Sequence, residues 1–535
     1  LSGKIPDPIR AGLASGWKAM DGAKQDKDLS LAADVVIVGS GAGGGIAAEV
    51  LSRAGLDVLL LEEGGLYSSS DFRLLEAKAY PELYQESASR QTLDKGITIL
   101  QGRAVGGGTT VNWTSSFRTP ADTLLWWQEN HGLAGLSAEI MRPWFEKAEQ
   151  RLGIGPWQAE PNGNNLVLER GCQALGLRHA RIARNVRGCW NLGYCGMGCP
   201  TNAKQSMLVT CIPEALSHGA RLLSRARVER LLADSGGASI ASVQGSLLGA
   251  DGNTPTGLRF SVRARQVVLA AGAIGTPAIM LRSGLPDAGG QIGKRTFLHP
   301  VALSAALMPE MVEPYNGAPQ TVYSDHYMHT QSLDGPLGFK LEVPPMHPLL
   351  ASVTFPGFGI EQSQLLQQLP HLHATLALLR DGFHPDSQGG AVKLRGDGSP
   401  ALDYPLNDVV WDGVRRSWLA MAELQFAAGA SLVMPLHERA QPMSSWKQTR
   451  EMIEALPLQA LQARLVSAHV MGGMAMGDDP ARSVLDGWGR HWTWRNLTVV
   501  DGSAFPTSIG ANPQLSIYAF AWRAAERLAE EMAKA

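Results

Sequence analysis

The residues best equipped for chemistry in this chain are one imidazole, one group of thiols and one carboxylate. His469 precedes Met471-Gly472-Gly473-Met474-Ala475-Met476-Gly477, small and unbranched neighbours that leave room for the ring and a substrate. An imidazole, with an unperturbed pKa of about 6.5, is suited to taking a proton from a hydroxyl near neutrality. Taken alone, a histidine in an apolar loop is more often structural than catalytic. Cys189, Cys195 and Cys199 fall within eleven residues, in a loop that also carries Gly188, Gly193, Gly196 and Gly198. Thiolates ligate iron–sulfur clusters, whereas a structural zinc wants about four ligands. Reduced or disulfide-linked structural cysteines account for the same grouping equally well. Cys172 and Cys211 read as ordinary buried residues.

The carboxylate is Glu62, and its meaning depends on the elements before it. Val35 to Val38 form an apolar run expected of a parallel strand covered on both faces. Gly39-x-Gly41-x-x-Gly44 follows, with Ala42 and Gly43 inside it, and a helix opens at Gly45 to Leu51. In that setting the first glycine permits a turn, the second lets backbone approach a pyrophosphate, and the third packs helix on strand. The helix N-terminus aims unpaired N–H groups at the phosphates. Val58 to Glu62 is the next strand, and Glu62, 23 residues after Gly39, sits where it can accept both ribose hydroxyl protons. Glu63 is the alternative for that role.

A second glycine cluster, Gly102-Arg103-Ala104-Val105-Gly106-Gly107-Gly108-Thr109-Thr110-Val111-Asn112-Trp113, is too flexible for a helix interior and could surround the reactive end of a cofactor. Its plain alternative is a surface hinge. No second Gly-x-Gly-x-x-Gly follows a strand, which argues against a separate NAD(P)H site. Pro8 to Met20 read as an amphipathic helical arm, Thr123 to Arg151 as Trp-rich cap helices, and Arg225 to Leu232 and Val262 to Gly272 as strands. Asn496 to Asp501 read as another strand, and Gln514 to Lys534 as a final helix of good helix formers.

The 535 residues exceed one ordinary core, so two closely packed domains are expected. A net charge of −2, with no block of Lys or Arg, gives no reason to expect nucleic acid. No apolar run reaches the roughly 18–20 residues of a membrane-spanning helix. Leu1 to Pro6 lack the pattern of an export signal, yet residue 1 is not Met, so localisation stays open between cytoplasm and periplasm.

The glycine turn at Gly39–Gly44, the Gly102–Asn112 loop, Ala271-Gly272-Ala273-Ile274-Gly275-Thr276-Pro277 with Arg282-Ser283-Gly284-Leu285, and the His469 and Asn512 segments together resemble the glucose–methanol–choline (GMC) oxidoreductase family over nearly the whole chain. The Gly102 and His469 segments look most like its long-chain fatty alcohol oxidase branch. That resemblance implies FAD and an α/β fold. A Rossmann-like FAD-binding domain would be assembled from 30–118, 205–300 and 465–535, after an arm at 1–29. A substrate domain, 119–204 and 301–464, would carry a large, mostly antiparallel sheet. The expected cofactor contacts are Gly39, Gly41, Ala42, Gly43, Gly44, Glu62, Gly102, Arg103, Gly107, Gly108, Thr109, Asn112, Ala271, Gly272, Asn512 and Pro513. Val228 would lie against the adenine, and Asp501-Gly502 against the ribityl and pyrophosphate.

By the same resemblance His469 is the general base and hydrogen-bond partner of the substrate oxygen. Asn512 would both donate to that oxygen and accept from the hydroxyl, where many relatives carry a second histidine. Its plain alternative is a cap on the final helix. The Cys189-x5-Cys195-x3-Cys199 spacing resembles the [3Fe–4S] site of FAD-glucose dehydrogenase type members, which pass electrons to a cytochrome subunit. The expectation is an FAD-dependent dehydrogenase of an apolar primary alcohol (aliphatic, terpenoid or aromatic), sending electrons through that cluster to a cytochrome or quinone. The alternatives are an oxidase producing hydrogen peroxide and a non-catalytic flavin-binding assembly protein. Peripheral membrane association stays open. His299, His371 and His373, with Trp126, Trp127, Trp488, Trp492 and Trp494, read as structural.

Overall fold

Four parallel strands end along one edge of the first sheet, and that alignment creates the site. In the computed structural model, which describes residues 5–287 and 289–534, Leu29–Val38 runs into the helix Ala42–Arg53 and returns as Val58–Leu61. Val38 pairs with Leu61 on one side and with Leu269 on the other, and Leu269 pairs with Val499. The loops that follow all four strands therefore open at the same carboxyl edge, where open α/β sheets bind ligands. Val35, Val36 and Ile37 are fully buried, as a strand covered on both faces requires. The strand order across the sheet is Lys18–Asp21, Arg221–Ser224, Val58–Leu61, Leu29–Val38, Pro255–Leu269, Ile240–Leu248 and Ala226–Ala233, with Leu497–Val499 also on Pro255–Leu269. The last helix, Gln514–Lys534, packs on Ala42–Arg53 and joins the two ends of the chain.

The second sheet runs Phe339–Glu342, Leu372–Leu379, Val301–Leu307, Leu465–Ser467 and Ile97–Ile99, with Leu432–Pro435 also on Val301–Leu307. All of its pairings are antiparallel except the last, between Leu465–Ser467 and Ile97–Ile99. The helix Asp408–Ala427 covers one face, and its buried Trp418 donates Nε1–H to the Leu303 carbonyl at 3.0 Å.

Three elements differ from the sequence reading. Only Pro8–Ala14 of the arm is helical, because Gly16 turns the chain at φ +105° and Lys18–Asp21 becomes an edge strand beside Arg221–Ser224. Residues 1–4 of that arm lie outside the described residues. The Gly102–Asn112 loop contains one helical turn, Gly108–Val111, which its glycines tolerate because it is so short. Ile97–Ile99 and Leu465–Ser467 fall in segments expected for the cofactor domain, yet they pair with each other in the second sheet. Among the described residues no helix is long and apolar enough to cross a membrane.

Candidate active site

A cavity of about 1020 Å³ lies between the carboxyl edge of the first sheet and one face of the second. Ligand pockets run from roughly 300 to 1,000 Å³, so this one can take a dinucleotide together with a small substrate. Every residue expected to touch a cofactor lines it except Gly44. Gly44 lies beneath the turn: a Cβ there would meet the Gly39 carbonyl oxygen at 1.8 Å. Gly39 turns at φ +96°, and a Cβ on it would meet the Ala270 oxygen at 2.3 Å. A Cβ on Gly41 meets only the Gly107 Cα, at 3.8 Å, so this backbone is bare toward the cavity. Arg103 Nε is buried without a partner. An uncovered backbone cradle, and an arginine on the wall that is held through Nη1 by the Gly252 carbonyl and Asn253 with Nε still free, fit the diphosphate of FAD.

Ser40 ties the two glycine loops together. Its hydroxyl donates to Glu62 and accepts from Gly106 N–H at 3.0 Å. Glu62 also accepts from Ser40 N–H at 3.0 Å and Gly64 N–H at 2.8 Å. A carboxylate has about four acceptor positions. With three filled, Glu62 has room for one ribose hydroxyl rather than the two expected. Burial pushes its pKa above the ordinary value. Burial also acts to raise Glu63, but Arg227, 2.9 Å away, and Arg103 outweigh it and hold that group low. The Asp501 carboxylate accepts from Gly272 N–H at 2.9 Å, Thr276 Oγ1–H at 2.6 Å and Ser503 N–H at 2.8 Å. That side chain fastens the neighbouring loops, so the Asp501-Gly502 backbone is left to face a ligand.

At the other end of the cavity, strand register brings two histidines together. Thr296–Leu298 pairs antiparallel with Val470–Gly472, Leu298 opposite Val470, so His299 and His469 fall side by side. Their Nδ1 atoms are 3.0 Å apart, and Gly510 N–H donates to His299 Nε2 at 3.1 Å. A neutral His299 that accepts at Nε2 carries its proton on Nδ1 and donates it to His469. With that proton on His299 Nδ1, the His469 proton sits on Nε2. Burial first, then the Lys340 charge, lowers the His469 pKa to about 3. Burial, His469 and Lys340 hold His299 well below its ordinary value. The sequence reading gave His299 only a structural role. A lone His-Pro carries no signal that it will meet His469.

Asn512 lines the same cavity and does not cap the final helix with its side chain. Its Oδ1 accepts from Lys340 Nζ at 2.7 Å, and its Nδ2 donates to Glu342 at 3.2 Å. With one carbonyl lone pair engaged by Lys340 and one N–H by Glu342, the amide has its second N–H left to offer a ligand. Lys340 and Glu342 were missed by sequence reading. Leu376 and Leu378, opposite them in register, line the cavity with Val301 and Leu100 and give its substrate end apolar walls.

The three clustered cysteines are free and partly buried. Cys189 Sγ accepts from Asn191 N–H at 3.4 Å, Cys199 Sγ from Lys204 N–H at 3.4 Å, and Cys195 Sγ lies 3.8 Å from Arg184. Lys204 Nζ donates to the Cys195, Thr110 and Asn112 carbonyls at 2.6, 2.7 and 2.9 Å, which fastens this loop to the second glycine loop. Burial lowers the Lys204 pKa to about 8. Among the described residues no three His, Cys, Asp or Glu side chains gather as a metal-binding set. As placed, the thiols do not fit a three-ligand cluster. Burial raises the Cys172 and Cys211 thiols, as their interior positions require.

Models of the GMC oxidoreductase family match residues 80–301 with their N-terminal part and 385–521 with their C-terminal part. An uncharacterized GMC-type oxidoreductase of Mycobacterium tuberculosis is 33% identical over 522 residues, 95% of this chain and 79% of that protein. The long-chain-alcohol oxidase FAO4A of Arabidopsis thaliana is 30% identical, across 93% of this chain and 68% of that protein. Among solved structures, pyridoxine 4-oxidase from Mesorbium loti superposes with a TM-score of 0.67 at 21% identity, covering 92% of this chain and 98% of that one. Formate oxidase of Aspergillus oryzae RIB40 gives 0.68 at 16% identity, covering 94% and 99%. These two likenesses concern the fold.

Proposed function

The chain belongs to the GMC oxidoreductase family, and on that premise we propose that it is an FAD-dependent oxidase of an apolar primary alcohol. The observation that carries this reading is a single cavity joining the glycine turn to His469, Asn512 and an apolar wall. Bound FAD would take the hydride from the alcohol carbon and pass two electrons to dioxygen, giving aldehyde and hydrogen peroxide. The protein's part is to hold the alcohol oxygen between His469 and Asn512 and to receive its proton.

In the resting tautomer His469 offers the substrate oxygen an N–H. The same two protons rearranged, with Nδ1–H of His469 facing a bare His299 Nδ1 and the His299 proton on Nε2, present a lone pair to the hydroxyl. That form makes His469 the general base, and it is reached by giving up the Gly510 contact. The Asn512 N–H stabilises the oxygen as negative charge develops on it. The apolar faces of Val301, Leu376 and Leu378 favour a hydrocarbon chain or ring over a sugar. In this reading 30–118, 205–300 and 465–535 form the cofactor domain, except for Ile97–Ile99 and Leu465–Ser467, which join the sheet of the substrate domain formed with 119–204 and 301–464.

Dioxygen as acceptor is supported by the oxidase names of the relatives. A dehydrogenase route to a cytochrome or quinone is the second reading. It is favoured by the attachment of the thiol loop to the cofactor loop through Lys204, but no step is routed through the thiols because they do not converge. Anaerobic mixing with aliphatic, terpenoid, aromatic and sugar alcohols tests the reaction: an apolar alcohol should bleach the flavin, and bleaching by none of them would refute it. Readmitting air should then yield one peroxide per turnover. Iron with acid-labile sulfide in anaerobically purified protein, and no peroxide, would replace the oxidase with the dehydrogenase.

A further inference from the structure

A buried ion pair stands behind Asn512 with no role in the reaction as described so far. Lys340 and Glu342 are two apart on the edge strand Phe339–Glu342, so both project to one face. They oppose Leu378 and Leu376 in register, and directly opposite residues share a face. The pair therefore stands on the same apolar face that walls the substrate end of the cavity. Lys340 is 3% exposed and Glu342 0%, and their charged atoms are 2.7 Å apart. Burying such a pair is often no better for stability than hydrophobic replacements. Its value here lies in what it holds.

We propose that Lys340 and Glu342 are positioning residues that bracket the Asn512 amide and fix it as a hydrogen-bond donor to the substrate oxygen. The ammonium meets Oδ1 at 2.7 Å and the carboxylate meets Nδ2 at 3.2 Å. Turning the amide over would set NH2 against ammonium and carbonyl against carboxylate, so only one orientation is stable. The ammonium also lies over the Phe117 ring, its centroid 3.3 Å from Nζ, which adds a cation–π contact to those with Asn512 and Glu342. Drawing electron density toward Oδ1, Lys340 also strengthens the remaining N–H as a donor. The inference rests on the alcohol reaction proposed above.

The test is a double-mutant cycle read in two ways. Lys340→Met alone strands a buried carboxylate and is apt to unfold the protein, so the paired change Lys340→Met/Glu342→Leu is used, in the Asn512 and Asn512→Ala backgrounds. Thermal unfolding of FAD-loaded protein should be non-additive, since the two sites touch. Anaerobic flavin reduction by the best alcohol should slow ~10–100-fold in the Asn512 background and less than about 2-fold further in the Asn512→Ala background. Equal slowing in both backgrounds, or none in the first, would overturn the proposal even with non-additive stability. A wild-type enzyme that no alcohol reduces would instead refute the reaction, and the positioning role with it.

Discussion

The assignment of the first glycine turn makes a prediction that needs no substrate: alanine at Gly41 and at Gly44 should fail in opposite ways. Gly41 has φ −70° and ψ −158°, accessible to alanine, and its added Cβ would meet one protein atom at an ordinary 3.8 Å. The apoprotein should fold normally, with a methyl group occupying the surface a diphosphate must approach. Losing that approach is worth on the order of 1–3 kcal/mol, or a ~10–100-fold weaker Kd for FAD. At Gly44 the Cβ would stand 1.8 Å from the Gly39 oxygen and 3.2 Å from the Ala270 Cβ. Neither is a flexible side-chain end, so the helix must shift from the strand at a cost of about 3 kcal/mol. FAD titration of the apoproteins, followed by flavin fluorescence, and calorimetric unfolding separate the two. Gly41→Ala binding FAD as tightly as wild type, or Gly44→Ala unfolding at the wild-type temperature, would refute this reading of the turn.

Three further outcomes follow from the buried histidines and the thiols. Burial holds His373 and His469 to about 3 and His491 to about 4. The unfolded chain, titrating near 6.5, binds more protons below that pH, so stability is lost on acidification, by about 2 kcal/mol at pH 5 for a site like His373. Asp381, raised to about 6 by burial, and Glu62 and Asp501, also raised by burial, act in the opposite sense as the pH falls. Burial lowers His131, His299, His347 and His437 as well, so the histidines outnumber them. Calorimetry should show Tm falling from pH 7 to pH 5, and a level Tm would contradict this balance. His299→Phe removes the partner of His469 Nδ1, so flavin reduction should slow ~10-fold or more while FAD stays bound; an unchanged rate would make that contact incidental. Lys204→Met should loosen the thiol loop from the cofactor loop and speed alkylation of Cys195 by iodoacetamide, measured by mass spectrometry; an unchanged rate would show that the Lys204 bonds do not hold it.

What could be read from the sequence was local. The run Val35 to Val38 before Gly39 specifies strand and turn through burial and steric need alone, and Gln514–Lys534 begins and ends where its helix formers do. The contents of the cavity wall were legible for the same reason, because glycines at fixed offsets mark close backbone approach. Pairings between distant segments were not. Lys18–Asp21 becomes a strand only because Arg221–Ser224, some two hundred residues on, offers it an edge. Phe339-Lys340-Leu341-Glu342 alternates like a half-exposed strand, and nothing within it shows that its polar face will be sealed by Asn512 and Phe117. His299 looked inert because its meaning lies in the Leu298–Val470 register.

The measurement that bears most directly on the central claim is rapid anaerobic mixing of an apolar primary alcohol with the wild-type flavoprotein and with His469→Ala, each holding a full complement of FAD. The account predicts that alcohol bleaches the wild-type flavin and that the variant does so ~10²–10⁴-fold more slowly, with its flavin spectrum otherwise intact. Equal rates of bleaching in the two proteins would contradict it.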